Sequence, residues 1–263
     1  MDQKPEKHRA RKRFGQHFLN DQYIIDQIIS CIAPQKDEHL VEIGPGTGVL
    51  TRPLLSQVEN LDVIELDRDL AARLRNEFSS DRLRVHEIDV LNFSFQSMEK
   101  KNKKIRLIGN LPYNISTPLI FHILEASNVI SDMTFMLQKE VADRMAAEAG
   151  TRQYGRLSVM LQYYCETEFL FDVPPEAFDP PPKVMSSIIR LVPKKELLPL
   201  KDKLLFQTVV KQAFSQRRKT LHNVLKNLAD DNDLESVGLS PKVRSDTITM
   251  EEYVKLTNYL YNK

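Results

Sequence analysis

Over the first two thirds of the chain, short apolar runs alternate with stretches in which apolar residues recur at three- and four-residue spacing. The runs Leu40 to Ile43, Leu61 to Leu66, Leu83 to Ile88, Ile105 to Ile108 and Met133 to Leu137 have strand length and strand composition, with helical patterns between most of them. Alternation of this kind is the signature of a doubly wound parallel α/β sheet, a Rossmann-like fold. Asn20 or Asp21 can cap a first helix that carries Ile24, Ile25, Ile28, Ile29 and Ile32 on one face and ends before Pro34. Two later runs, Phe169 to Val173 and Ser187 to Val192, flank the proline-rich loop Phe178-Asp179-Pro180-Pro181-Pro182-Lys183 and can pair as an antiparallel edge. The total is about seven strands.

After Pro193 the pattern changes. Lys194-Lys195-Glu196 and Pro199 mark a linker, and Leu204 to Phe214, Leu221 to Leu228 and Tyr253 to Tyr261 then read as helices, with a break at Gly238 and Pro241 before the last. The expected organisation is a basic N-terminal segment over 1–20, an α/β domain over 21–194 and a small helical domain over 195–263.

Composition narrows the setting. A chain of 263 residues with 41% hydrophobic content can bury a substantial core. Its two cysteines, Cys31 and Cys165, have no partner spacing, and the six histidines form no ligand-like cluster, so neither a disulfide framework, a zinc site nor any other metal is expected. A reducing cytoplasm is the natural compartment. No stretch approaches the ~18 apolar residues of a membrane span, and no apolar h-region follows the N-terminal charges. The absence of a heptad seam makes a monomer the default.

The net charge of +1 does not by itself suggest a nucleic-acid partner. Positive residues are nevertheless clustered: Lys4 to Arg13, including Arg11, Lys12 and Arg13; Lys100 to Lys104; and Arg217-Arg218-Lys219. Such runs are often only solvated faces. They support RNA binding once another argument points there.

That argument starts at Glu42-Ile43-Gly44-Pro45-Gly46-Thr47-Gly48, a glycine-rich turn between a buried strand and a helix. Its spacing is Gly-x-Gly-x-Gly, and the pyrophosphate fingerprint would need a glycine at Val49. At the end of the next strand, Glu65 can accept both ribose hydroxyls of an adenosine, with Asp67 a weaker candidate. Asp89, ending the third strand, can accept from an adenine amino group. An adenosine cofactor without phosphates, carrying a carboxylate near a helix N-terminus, fits S-adenosylmethionine better than a nicotinamide.

Asn110-Leu111-Pro112-Tyr113 follows the fourth strand, across the switch point from the glycine turn. An adenine amino group is a poor nucleophile because its lone pair is delocalised into the ring. The Asn110 side-chain oxygen and the Leu111 carbonyl can accept its protons and localise that pair, while Pro112 stiffens the turn and Tyr113 offers a stacking face. In-line methyl transfer then needs positioning, not a strong base. Phe178 can be a second aromatic wall for the base, or a core residue that pins its loop.

These motifs, with Arg11 to Asn20, Val63 to Asp67, Gly109 to Pro118, Phe178 to Ser186 and Ala213 to Thr220, resemble the ribosomal RNA adenine dimethyltransferases over nearly the whole chain, and within them the bacterial small-subunit type linked to kasugamycin sensitivity. The resemblance implies a Rossmann-like S-adenosylmethionine-dependent methyltransferase. It would add four methyl groups, two to each of two adjacent adenines, in a hairpin near the 3′ end of 16S ribosomal RNA in an assembling small subunit. It also implies cofactor contacts at His17, Leu19, Gly44, Glu65, Asp89 and Asn110, with Leu111, Tyr113 and Phe178 around the target base. Many relatives have asparagine at position 17, and either side chain can hydrogen-bond the cofactor's methionyl end. Other readings are a large-subunit dimethyltransferase, which shares the catalytic motifs; a DNA adenine methyltransferase, whose motif usually has proline where Leu111 stands; and a non-catalytic assembly factor, which would not need the cofactor carboxylates.

Overall fold

The computed structural model describes residues 17–99 and 103–263. Elements follow in the order β1 (Phe18–Leu19), α1 (Gln22–Ile32), β2 (His39–Ile43), α2 (Thr51–Leu55), β3 (Leu61–Glu65), α3 (Arg68–Glu77), β4 (Leu83–Glu87), β5 (Ile105–Asn110), α4 (Ser116–Leu124) and β6 (Ile130–Gln138). Then come α5 (Lys139–Met145), α6 (Arg156–Tyr164), β7 (Cys165–Val173), β8 (Phe178–Asp179), β9 (Ser186–Pro193), α7 (Lys203–Ala213), α8 (Leu221–Leu225), α9 (Asp231–Ser236) and α10 (Met250–Tyr261). All seven expected strands form one sheet, in the order β4-β3-β2-β5-β6-β9-β7.

Strands β2 to β6 run parallel, and β9 is antiparallel to β6. Every residue of β2 and β3 is buried, as expected for inner parallel strands covered on both faces. The strand order reverses at β2, which pairs with β3 on one side and β5 on the other, so the crevice beyond the C-terminal ends of β2 and β5 is where this topology binds ligands. β7 occupies the outer edge beside β9.

Charged side chains brace the sheet away from that crevice. Arg106 on β5 donates to both oxygens of Asp132 (3.2 and 2.9 Å), to Glu38 (2.6 Å) and to the carbonyl of Ile32 at the end of α1 (2.7 Å). These charge-assisted bonds join α1, β5, β6 and the entry to β2. On the other flank, the buried Asp62 on β3 accepts from His39 on β2 (3.0 Å) and His86 on β4 (2.8 Å). The two histidines offset the cost of burying Asp62, and its carboxyl lies well below the usual range. Helix α1 buries its five isoleucines, is capped by Asp21 and closes at Ala33 in the left-handed region, φ 46°.

By packing, the chain divides into two units, one comprising the chain up to Ala142 with Glu168–Val192, the other Asp143–Thr167 with Pro193–Lys263. Residues 143–167, assigned from the sequence to the α/β domain, therefore group with the helical tail. The tail has its own core, with Phe206 and Tyr253 fully buried and the Phe214 ring 5.9 Å from that of Tyr253. Reciprocal side-chain and backbone bonds at Asp230/Asp233 and Thr249/Glu252 start α9 and α10. Helix α9 had no counterpart in the sequence reading, because its six residues, DNDLES, carry too few apolar positions to show a period.

Candidate active site

The C-terminal ends of β2, β3 and β5, the turn after β4 and the segment around β1 line one cleft in the first unit. It brings together His17, Leu19, Gly44, Glu65, Asp89 and Asn110, with Leu111 and Tyr113. Gly44, Gly46 and Gly48 all have positive φ, 66°, 57° and 81°, so the turn curls back along the end of β2 in a backbone path that residues with a Cβ rarely adopt. A Cβ on Gly46 would also lie 3.2 Å from the Phe18 ring.

Two features hold this turn. Arg52 donates to the carbonyls of Thr47 and Gly48, both at 2.9 Å, and forms a two-bond fork with Glu77 on α3 at 2.6 and 2.7 Å. The Glu65 carboxylate accepts from Gly46 N–H at 3.1 Å and Asp67 N–H at 2.8 Å. Burial raises the Glu65 pKa, and the two N–H donors oppose that shift. Each Glu65 oxygen keeps a lone pair beyond these bonds, which suits a vicinal diol. Neither Arg52 nor the backbone tether of Glu65 was anticipated, since arginine four residues beyond a glycine turn carries no signature of its own.

Glu42 is 2% exposed and accepts from Thr51 Oγ1 at 2.7 Å. Burial pushes its carboxyl up to about 7, with the Thr51 bond opposing and the Glu65 charge adding to the rise. Asp89 accepts from Leu91 N–H at 2.9 Å and Asp67 from Asp69 N–H at 3.0 Å, so both also cap the turns that follow them.

On the opposite wall, a Cβ on Gly109 would sit 2.6 Å from the Ile43 carbonyl oxygen, so only glycine lets β5 approach β2 this closely just before Asn110. Asn110 Nδ2 donates to the His17 carbonyl at 3.1 Å, a bond that only the amide nitrogen can make. Leu111 is fully buried, with its N–H on the Met136 carbonyl at 3.0 Å. The Tyr113 hydroxyl lies 2.6 Å from Ser186 Oγ, and its ring stacks on His17 with centroids 5.6 Å apart and planes 25° from parallel.

Phe178 does not line the cleft. It is 3% exposed, and β8 pairs antiparallel with β1, setting Phe178 opposite Leu19 and Asp179 opposite Phe18. The ring is buried with the core cluster that includes Leu19 and Val173, the arrangement of the core alternative. The neighbour of Tyr113 is instead His17, whose Nδ1 donates to the Pro180 carbonyl at 2.7 Å.

Against this geometry, the pattern that defines the ribosomal RNA adenine dimethylases matches residues 7–262. The chain belongs to that family. A Vibrio parahaemolyticus protein named Ribosomal RNA small subunit methyltransferase A is 52% identical to it over 96% of this chain and 95% of that one. Among solved structures, a dimethyladenosine transferase from Plasmodium falciparum is 26% identical, with a TM-score of 0.78 over 91% of this chain and 96% of that one. The 23S rRNA methyltransferase ErmE is likewise 26% identical, with a TM-score of 0.69 over 93% and 99%. Membership of the dimethylase family gives the cleft its setting: a Rossmann-like sheet whose switch point carries both the glycine turn and Asn110 to Tyr113.

Other expected residues lie elsewhere. Arg217, Arg218 and Lys219 are exposed in the turn after α7 of the second unit, where Arg217 donates to the Arg152 carbonyl. Arg11, Lys12, Arg13 and Lys100 to Asn102 lie outside the described residues, and Lys103 donates to the Asp37 carbonyl at 2.7 Å. Among the described residues no group of three or more His, Cys, Asp or Glu side chains is placed to hold a metal ion, and no helix is long and apolar enough to cross a membrane. Both cysteines are free, and burial pushes the Cys165 thiol up to about 12.

Proposed function

We propose that this chain is an S-adenosylmethionine-dependent dimethyltransferase acting on the N6 amine of two adjacent adenines in the 3′-terminal hairpin of 16S ribosomal RNA, within the assembling small subunit in the cytoplasm. The observation that carries the reading is the fixed Asn110 carboxamide. Its nitrogen is committed to the His17 carbonyl, which turns its oxygen into a defined acceptor in the same cleft as Glu65.

The donor set fits the cofactor. Glu65, tethered through two backbone N–H groups, receives the ribose hydroxyls; Asp89 accepts from the adenine amino group; the glycine turn, with His17 and Leu19, borders the methionyl end. When bound, S-adenosylmethionine supplies an electrophilic methyl group. Asn110 Oδ1 and the Leu111 carbonyl accept the protons of the target amine and localise its lone pair, and the Tyr113 ring carries the flipped base. Arg217, Arg218 and Lys219 of the second unit, with Arg11, Lys12 and Arg13, meet RNA phosphates. The name carried by the 52%-identical relative supports a small-subunit acceptor over the large-subunit one in the ErmE title.

The test is transfer from labelled S-adenosylmethionine to unmethylated small subunits, large subunits and duplex DNA, with mass spectrometry of the nucleosides. Dimethyladenosine only with small subunits is expected, and its loss in Asn110→Ala with RNA binding retained would tie it to the cleft. Product on large subunits would favour the other dimethylase branch. Binding of small subunits and cofactor without transfer would leave an assembly factor.

A further inference from the structure

The hydroxyl of Tyr113 has a partner that the proposed chemistry does not use. Ser186 is the first residue of β9, is fully buried and stands in register with Gln138 of β6, so the sheet fixes its backbone and leaves its Oγ a single torsion. That oxygen lies 2.6 Å from Tyr113 Oη. Burial raises the Tyr113 pKa, which keeps the phenol neutral and makes the hydroxyl an anchor, not a base.

A tyrosine ring has two soft torsions. Fixing Oη sets the direction of the ring axis but leaves rotation about that axis free, because such rotation does not move Oη. The stack against His17, with planes 25° from parallel, restrains the remaining rotation, and His17 is itself tied to the Pro180 carbonyl. The two contacts restrain different degrees of freedom, and together they define a plane. A wall that only had to be apolar would need neither.

We propose that Ser186 is a positioning residue of the acceptor-base site: by holding the Tyr113 hydroxyl it fixes the ring on which the adenine stacks, and so the approach of the amine to the methyl donor. This rests on the reading of Tyr113 as the base wall. Because transfer depends steeply on the placement of the reacting atoms, a looser ring slows the chemical step while leaving the cofactor half of the cleft intact.

The experiment is a double-mutant cycle on the full chain, reading single-turnover methyl transfer to unmethylated small subunits at saturating cofactor, with cofactor affinity by calorimetry. Ser186→Ala and Tyr113→Phe remove the same bond from opposite sides, and Tyr113→Phe deletes one oxygen without touching the buried strand. Each is expected to slow transfer about three- to tenfold, the scale of one hydrogen bond. The double variant should be no slower than the worse single variant, and cofactor affinity should be unchanged in all three. Independent, multiplying losses would overturn the proposal, as would Tyr113→Phe at the wild-type rate. Tyr113→Ala separates the two readings: slow transfer there with Tyr113→Phe and Ser186→Ala at full rate keeps the base wall and removes the positioning role, whereas a normal rate in Tyr113→Ala removes the base wall as well.

Discussion

Replacing Glu65 by glutamine tests the cofactor half of the cleft with almost no change of shape. The carboxylate accepts Gly46 N–H on one oxygen and Asp67 N–H on the other, and both oxygens are left to receive the ribose diol. Glutamine keeps one acceptor oxygen and puts an NH2 where the second stood. One backbone N–H then faces another donor, and one ribose hydroxyl loses its acceptor. A hydrogen bond to a charged group contributes about 1.5 to 3 kcal/mol, so loss of one to the ligand should weaken cofactor binding about 10- to 150-fold. Calorimetric titration with S-adenosylmethionine and S-adenosylhomocysteine, well below the unfolding transition, reads this directly. Both ligands should lose affinity together, since they share the ribose. Affinity within about threefold of wild type would refute the ribose assignment, because that is under half the smallest energy expected for a single charged bond.

Glu42, whose folded pKa of about 7 lies above its ordinary 4.5, binds more protons folded than unfolded between those values, so the cofactor-free protein should lose about 3 kcal/mol of stability as pH rises through that window. Glu42→Gln should abolish this decline in denaturant titrations at successive pH values. Asp62 behaves oppositely: its depressed pKa supplies stability above the ordinary carboxylate range that fades as pH falls below it, and Asp62→Ala should cost about 1 to 3 kcal/mol at neutral pH by removing the buried acceptor that His39 and His86 share. Gly109→Ala should cost about 1 to 3 kcal/mol in thermal unfolding, because its Cβ would press on the Ile43 carbonyl at 2.6 Å. Alanine at Arg217, Arg218 and Lys219 together should lower the salt slope of small-subunit binding by about 2 to 3, with cofactor affinity intact; an unchanged slope would remove these residues from the interface.

The strands were legible because inner parallel strands are buried on both faces and their sequences, such as Leu40 to Ile43, are nearly unbroken apolar runs. The cleft was legible for a related reason: the acids and glycines that end those strands interrupt the runs, and the topology places strand ends together. What stayed hidden depends on partners distant in sequence. Phe18–Leu19 meets Phe178–Asp179 across the two-residue pairing of β1 and β8, far too short for periodicity to register. Without that pairing, Phe178 reads as readily as a base wall as it does as core. Arg52, Arg106 and Ser186 owe their roles to atoms that a linear reading cannot bring near them. The grouping of 143–167 with the tail was equally invisible, since it rests on the packing of α6 against α7 and α10, which are distant in sequence.

The β1 and β8 pairing has a dynamic consequence. Among the described residues two pairs join these strands, backed by the Asn20 N–H bond to the Ala177 carbonyl, whereas β2 sits in long parallel ladders on both sides. The small sheet therefore has fewer ladder bonds to break than β2, although Leu19 and Phe178 are buried with the core of the first unit. Its amides should exchange with solvent well before those of β2 and β5. Opening it would release His17 and Leu19 together with the Phe178 loop while the glycine turn stays bolted to α3 through Arg52. The methionyl side of the cleft and the Asn110 carboxamide would loosen with it, while the ribose side, held at Glu65 by two backbone N–H groups, would keep its shape.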